Sequence, residues 1–236
     1  MKELIKLSKE EINNRMGKTI YDKVITILKA LVLMISIWIM LEKFMGYDEL
    51  VNSHPYYMWL LSGIIPCFYM FDVIYRVINN KRNISHRVIN LSSFIIFTIL
   101  TFVEMVLFRI AGFNIDIYYI QIIIYMIFSY IFMELCSYIL DKFNNICEWI
   151  NKVIGIFVLP VFMFSGVFYN ASDVPNRYLR TLLRLDPINY LVNGFRNAFV
   201  NKKWIFDEPK KFAYFSGICL ILIIVSFILN KINKKK

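Results

Sequence analysis

Histidine is nearly missing from this chain, His54 and His86 being the only two, and neither has an acid pair beside it. No G-x-S-x-G or H-E-x-x-H pattern occurs, so triad hydrolysis and zinc proteolysis have no residues to carry them. Cys67, Cys136, Cys147 and Cys219 are widely spaced, with no C-x-x-C pair. They suggest neither a metal site nor a disulfide framework, and suit packing as small hydrophobes. Charge is scarce, at 19% of residues, against 58% apolar and 17% aromatic. That is more apolar surface than one soluble core of 236 residues can hide. The chain belongs in a bilayer. Its net charge of +10 sits largely at chain ends and between apolar runs, where anionic headgroups meet it, so nucleic-acid binding is excluded. No early apolar run follows Lys2, Glu3 and Lys6, and no cleaved signal peptide is expected. Gly17-Lys18-Thr19 ends like a phosphate loop, but the first glycine of that motif falls at Ile12 and no buried strand precedes it. Nucleotide binding is rejected.

What is present is a series of apolar runs. In residues 1–23, Ile5, Ile12, Met16 and Ile20 recur at helical spacing among Lys and Glu, which predicts a helix lying on the membrane surface. Spans are expected at 24–41, 56–78, 91–111, 117–140, 153–168 and 212–229, each near the ~20 residues that cross ~30 Å of hydrocarbon. Tyr56, Tyr57 and Trp59 open the second as an interfacial aromatic cluster, and Gly63 and Pro66 are expected to bend it. Arg76 to Asn90 carries four basic and no acidic residues, which puts it in the cytoplasm. Inside segments hold sixteen Lys or Arg and the first two outside loops one, while residues 169–211 hold eight against the rule. Six spans leave both termini cytoplasmic. The expected fold is all-α, a single membrane domain over 1–236 with an N-terminal interfacial helix, six spans and a re-entrant extracellular helical cap at 169–210 between spans five and six.

Asp72, Glu104, Arg109 and Glu134 fall inside apolar runs, where a charge must face protein or water. Asp72 with Arg76 and Glu104 with Arg109 are expected to pair, either functionally or as structural ties. In the cap, Asp173 is the expected N-cap of a helix from Val174 to Leu185, stopped by Pro187. Arg177, Arg180 and Arg184 then form one guanidinium face suited to phosphate, of lipid headgroups or of a substrate. The next segment, Ile188 to Val200, sets Asn189, Asn193, Arg196 and Asn197 along one face, suited to hydroxyl-rich ligands, helix capping or a twin subunit. Aromatics in spans one, two and five, among them Trp38, Phe68, Tyr69, Phe164, Phe168 and Tyr169, would let sugar rings slide along a pathway. On a lipid-facing helix they would only be apolar cover.

Ser165-Gly166 at the end of the fifth run, Asp186-Pro187-Ile188-Asn189-Tyr190, and Gly194-Phe195-Arg196 before a final span resemble the end of the permease subunit of ABC-2 exporters. There the middle element is Asn-Pro-x-x-Tyr, and Asp186 departs from it. Leu61 to Pro66 followed by Phe68 resembles the second span of the polysaccharide and teichoic acid exporters of that family. The resemblance implies a homodimeric pore gripped by separate ATP-binding cassette subunits, which bind ATP and Mg, so this chain has no cofactor and is not an enzyme. It implies that 79–90 is the coupling loop, with Asn79, Asn80, Lys81, Arg82, Asn83 and Arg87 docking on the cassette subunit. It implies that Tyr190, Asn193 and Arg196 join the cap's arginines near the substrate, a lipid-linked glycopolymer leaving the bacterial cytoplasmic membrane. A drug or peptide exporter, or a transferase acting on lipid-linked sugars, is the alternative.

Overall fold

The computed structural model describes residues 2–40, 50–51, 54–80, 84–110, 117–146, 153–156, 158, 160–161, 165–168, 174–201 and 204–233. Helix α1 (Lys2–Met16) ends at Gly17, whose φ of 95° is the left-handed conformation that glycine supplies at a helix C-terminus. Helix α2 (Ile20–Ile39) starts at once behind a reciprocal cap. Thr19 Oγ1 accepts from the Asp22 N–H at 3.2 Å, and Asp22 Oδ2 accepts from the Thr19 N–H at 3.1 Å. The Gly-Lys-Thr triplet is therefore one helix stop followed by one helix start.

A short antiparallel ribbon, β1 (Leu50–Val51) against β2 (His54–Pro55), leads into α3 (Tyr56–Ile78). Then come α4 (His86–Ile110), α5 (Tyr119–Ile146), α6 (Arg177–Leu185) and α7 (Pro187–Arg196). A π turn at Asn197–Asn201, a 3-10 turn at Ile205–Asp207 and α8 (Pro209–Asn233) complete the order. Only α3 has the bounds the hydropathy predicts. The fourth helix already begins at His86 and takes in part of the expected 79–90 loop, while α5 runs on to Ile146 beyond the expected 117–140 span. Hydropathy marks the stretch in hydrocarbon, whereas backbone bonding carries a helix onward until something caps it. In the expected fifth span, 153–156, 158 and 160–161 are helical, 165–168 form a turn, and the rest lie outside the described residues.

Among the described residues four helices are long and apolar enough to cross a membrane: Met58–Ile78, His86–Ile110, Tyr119–Phe143 and Pro209–Lys231. They differ sharply in environment. Met58–Ile78 is 67% buried against other parts of the chain and Pro209–Lys231 only 11%. Thus α3 is the axis, packed on α4, α5 and α7, while α8 leans on α5 and leaves Leu220, Ile221, Ile224, Phe227 and Ile228 facing outward.

The segment from α7 into the π turn is buried on both of its sides. Leu191, Val192, Phe195, Ala198 and Phe199 are all fully buried, and so is the opposite side of the helix, with Asn189 at 5% and Arg196 at 1% exposure. Rather than covering the bundle, α7 is wedged into it between α3 and α5. Phe195 meets Phe97 and Phe199 meets Phe108 on α4, and the Tyr118 N–H bonds the Ala198 carbonyl at 3.0 Å.

The wedge fits because Gly194 has no side chain. A Cβ at that position would overlap the ring of Tyr125 on α5, which itself neighbours Tyr190, with Tyr190 stacked on Phe215 at 4.8 Å. Gly194→Ala is expected to force these helices apart and cost about 1 to 3 kcal/mol. Thermal unfolding of the purified chain in detergent measures it, and an unchanged midpoint would contradict the packing described.

Candidate functional site

Three polar clusters stand out in a chain otherwise built from apolar contacts. The first joins α1, α3 and α4. The expected pair is present, with Arg76 Nε donating to Asp72 Oδ1 at 2.7 Å. Asp72 also receives Arg15 Nη2, from α1, and the Ser93 hydroxyl at 2.6 Å from α4. Arg15 Nη1 donates to Ser93 Oγ at 3.0 Å, and Arg76 Nη1 lies 3.5 Å from Glu11 Oε1. Burial pulls the Arg15 guanidinium below its usual pKa, with Asp72 opposing that pull. Toward the bundle α1 buries Ser8, Glu11 and Met16, while Ile5 is 56% exposed. A cleft of about 500 Å³ opens here, lined by Glu11, Asn14, Arg15, Asp72, Arg76, Asn79 and Asn80.

The second cluster ties α4 to α5. Tyr69 donates its hydroxyl to Asn90 Oδ1 at 2.7 Å, and Asn90 Nδ2 donates to Glu134 Oε2 at 2.9 Å. Arg87 Nε lies 3.3 Å from Glu134 Oε1, and His86 Nδ1 lies 3.3 Å from Asp141 Oδ2. Glu134 is thereby answered within the protein. Glu104 is not, and the expected pair with Arg109 does not form. A separation of five residues turns the two side chains about 140° apart around a helix. Arg109 Nη2 bonds the Tyr119 hydroxyl at 2.9 Å, while Glu104 is 1% exposed with no hydrogen-bond partner on either carboxyl oxygen among the described residues.

The third cluster lies around α6 and α7. The helix begins later than expected, at Arg177, because Asn176 rather than Asp173 caps it: its side chain accepts from the Tyr178 and Leu179 N–H groups at 2.9 and 3.3 Å. Asp173 itself lies outside the described residues. Asp186 ends α6 and starts α7, its Oδ1 accepting the Ile188 N–H at 2.9 Å with Pro187 in the first turn. The following asparagines bond inward: Asn189 Nδ2 to the Leu183 carbonyl and Asn193 Nδ2 to Asn189 Oδ1. Arg196 is wholly internal. Its Nε donates to the Trp59 carbonyl at 2.9 Å, Nη1 to Gly166 O at 2.7 Å and Asn193 Oδ1 at 3.1 Å, and Nη2 to Val167 O. Its guanidinium carbon sits 3.5 Å from the centre of the Trp59 ring. Gly63 makes room for it, since a Cβ there would collide with the guanidinium, and Gly166 presents its carbonyl from a left-handed φ of 74°.

The remaining candidate residues are scattered. Arg177 and Arg184 are exposed and Arg180 half-buried on α6, with no acid in salt-bridge reach among the described residues. Phe68 and Phe168 are 55% and 44% exposed, while Tyr69 is buried and Tyr190 half-buried. Asn79 Nδ2 bonds the Tyr75 carbonyl at 2.9 Å. Asn80 holds Ile84 at both its N–H and its carbonyl. Lys81, Arg82, Asn83, Phe164 and Tyr169 lie outside the described residues, as does the side chain of Trp38. Among the described residues no group of three or more His, Cys, Asp or Glu is placed to hold a metal. Arg15 and Asn90 were not picked out from the sequence. Arg15 follows Glu11 at i, i+4 on the face carrying Ser8, a polar face that could have been read as buried; nothing local marks Asn90.

Burial pushes the Asp186 carboxyl up to about 6, against the Ile188 and Asn189 N–H groups that favour its charge. An acid with a raised folded pKa holds its proton more tightly when folded. The stability it confers is therefore full below about pH 4 and falls as pH rises through about 6. Asp186→Asn keeps the capping oxygen and removes the buried charge. It is expected to gain about 1 to 2 kcal/mol over the parent chain at pH 7.5 and almost nothing at pH 4. Paired thermal unfolding curves at the two pH values check this, and a gain independent of pH would contradict it.

The family described as ABC-2 type transporter matches residues 56–200, from the first residue of α3 through the buried wedge to the π turn. No curated protein matches the chain. The match contains the Gly63, Gly194 and Arg196 positions that fit α7 against α3 and α5. With four helices able to cross a membrane and a family match over more than half its length, the chain belongs to the ABC-2 type transporter family and is a multi-pass membrane subunit of an ABC transporter.

Proposed function

We propose that this chain is the permease subunit of an exporter that moves a lipid-linked cell-surface glycopolymer, a teichoic acid or a capsular or O-antigen-like polysaccharide, across the bacterial cytoplasmic membrane. Two copies form the pore. A separate cassette subunit binds ATP and Mg and does the hydrolysis, docking on Asn79, Asn80, Lys81, Arg82, Asn83 and Arg87. Six spans leave both termini in the cytoplasm, and α6 with α7 make the re-entrant extracellular element between spans five and six.

The observation that carries the reading is the state of α6. Arg177, Arg180 and Arg184 sit on one face with no acid in reach among the described residues, beside exposed Tyr178 at 83% and Leu182 at 65%. Guanidinium groups without an acid in reach among the described residues, next to apolar surface, suit a phosphate-bearing, membrane-bound ligand such as the pyrophosphate of a polyprenyl carrier. Exposed Phe68 and Phe168 offer ring faces on which sugars stack. The buried network of Arg196 takes that residue, with Asn189 and Asn193, out of direct contact with a polymer and gives them the task of positioning the helix that follows α6.

Replacing Arg177, Arg180 and Arg184 together by Gln is expected to cut export roughly tenfold or more, since each charge-assisted bond contributes ~1.5 to 3 kcal/mol. The lipid-linked intermediate should accumulate inside the cell. Lys at the same positions restores export in part, because it keeps the charge and loses the bidentate fork. Normal export by the Gln variant, at unchanged membrane content, would remove the stripe from the transport cycle.

A further inference from the structure

Beside the polar cleft of the first cluster lies a second, of about 320 Å³, lined by Ile65, Phe68, Phe71, Ile96, Phe97 and Leu100. The two share Arg15, Asp72 and Tyr75 in their walls. They are therefore one groove between α3 and α4, polar at the end closed by α1 and apolar along the rest. From Ile65 to Tyr75 the α3 wall rises about 15 Å, half the ~30 Å hydrocarbon core and so the depth of one leaflet. Phe68 and Tyr75 are each 55% exposed along it. The polar end stands at the end of a membrane-crossing helix, level with headgroups.

We propose that this groove binds one bilayer phospholipid with a zwitterionic ammonium-phosphate headgroup. Charge decides the class of headgroup. The chain as a whole carries +10, but this cleft is balanced, with Arg15 and Arg76 facing Asp72 and Glu11. An anionic headgroup would leave this balanced cleft with a net negative charge, whereas a zwitterionic one leaves it neutral. A phosphate can take Nη2 of Arg76, whose side chain is 36% exposed, while Nε is committed to Asp72 and Nη1 approaches Glu11. The ammonium is then within the same cleft as Glu11, which Arg76 approaches at 3.5 Å. One acyl chain lies over Tyr75, Phe71 and Phe68 into the apolar end. The bound lipid would brace α1 against the α3–α4 pair, whatever the cargo of the transporter.

The test uses the full chain, purified in detergent and given equal amounts of phosphatidylethanolamine and phosphatidylglycerol, with retained lipid counted by native mass spectrometry. Phosphatidylethanolamine should be retained about tenfold over phosphatidylglycerol. Leu100→Trp fills the apolar end without touching the charges and should reduce that retention by a similar factor. Ile96→Trp does the same from the next turn, should the first variant fail to fold. Glu11→Gln should erase the preference between the two lipids. Equal retention by the parent chain, or undiminished retention in a folded Trp variant, would overturn the proposal.

Discussion

A guanidinium sealed away from water must find every partner inside the protein, and Arg196 is in that position, 1% exposed at the end of α7. Its donors reach two separate pieces of chain. The Trp59 carbonyl and ring belong to the first turns of α3, and the Gly166 and Val167 carbonyls to the turn that follows the expected fifth span. The Gly166 and Val167 carbonyls lie in a turn rather than a helix, and the Trp59 carbonyl, in the first turns of α3, also accepts the Ser62 hydroxyl at 3.1 Å. One side chain therefore fixes α7, α3 and the 165–168 turn relative to each other. The tight contacts at Gly63 and Gly194 follow from that fixed position.

The opposite end of α3 is held by charge in the same manner. Asp72 is the acceptor at which Arg15, Arg76 and Ser93 converge, so α1 is attached to the bundle through ion pairs as well as through buried Met16. Breaking one partner of such a group leaves the others buried and unanswered, which costs more than the pair itself is worth. The most buried of the four crossing helices thus has a polar joint at each end, one to α7 and one to α1. The middle of α3 is packed on three neighbours, so the two joints are held at a fixed separation.

Much of this was legible beforehand, for physical reasons that differ by element. Apolar runs of about membrane length located α3, α4, α5 and α8, since burial in hydrocarbon writes itself into composition. Asp72 with Arg76 was readable from i, i+4 spacing, whereas Glu104 with Arg109 was misjudged by distance along the chain without regard to helix face. Hydropathy could not tell α3, buried in protein, from α8, facing outward, because lipid and protein interior are equally apolar. Nor could it show that the polar face of α7 is internal: Asn189, Asn193 and Arg196 look like a solvent-facing stripe until Trp59 and Gly166 are brought to them from distant parts of the chain. The orientation of α1 was hidden likewise, since its burial depends on acceptors that α3 and α4 supply.

The central claim is that the Arg196 guanidinium joins three segments at once, and hydrogen exchange of the purified chain tests it most directly when the parent is compared with Arg196→Lys. Lysine keeps the charge but cannot reach three carbonyls. The account predicts faster exchange at Gly166 and Val167, through Pro187–Arg196 and in the first turns of α3 together, with the far ends of α4 and α5 unchanged. Exchange that rises in α7 alone, or not at all, would contradict it.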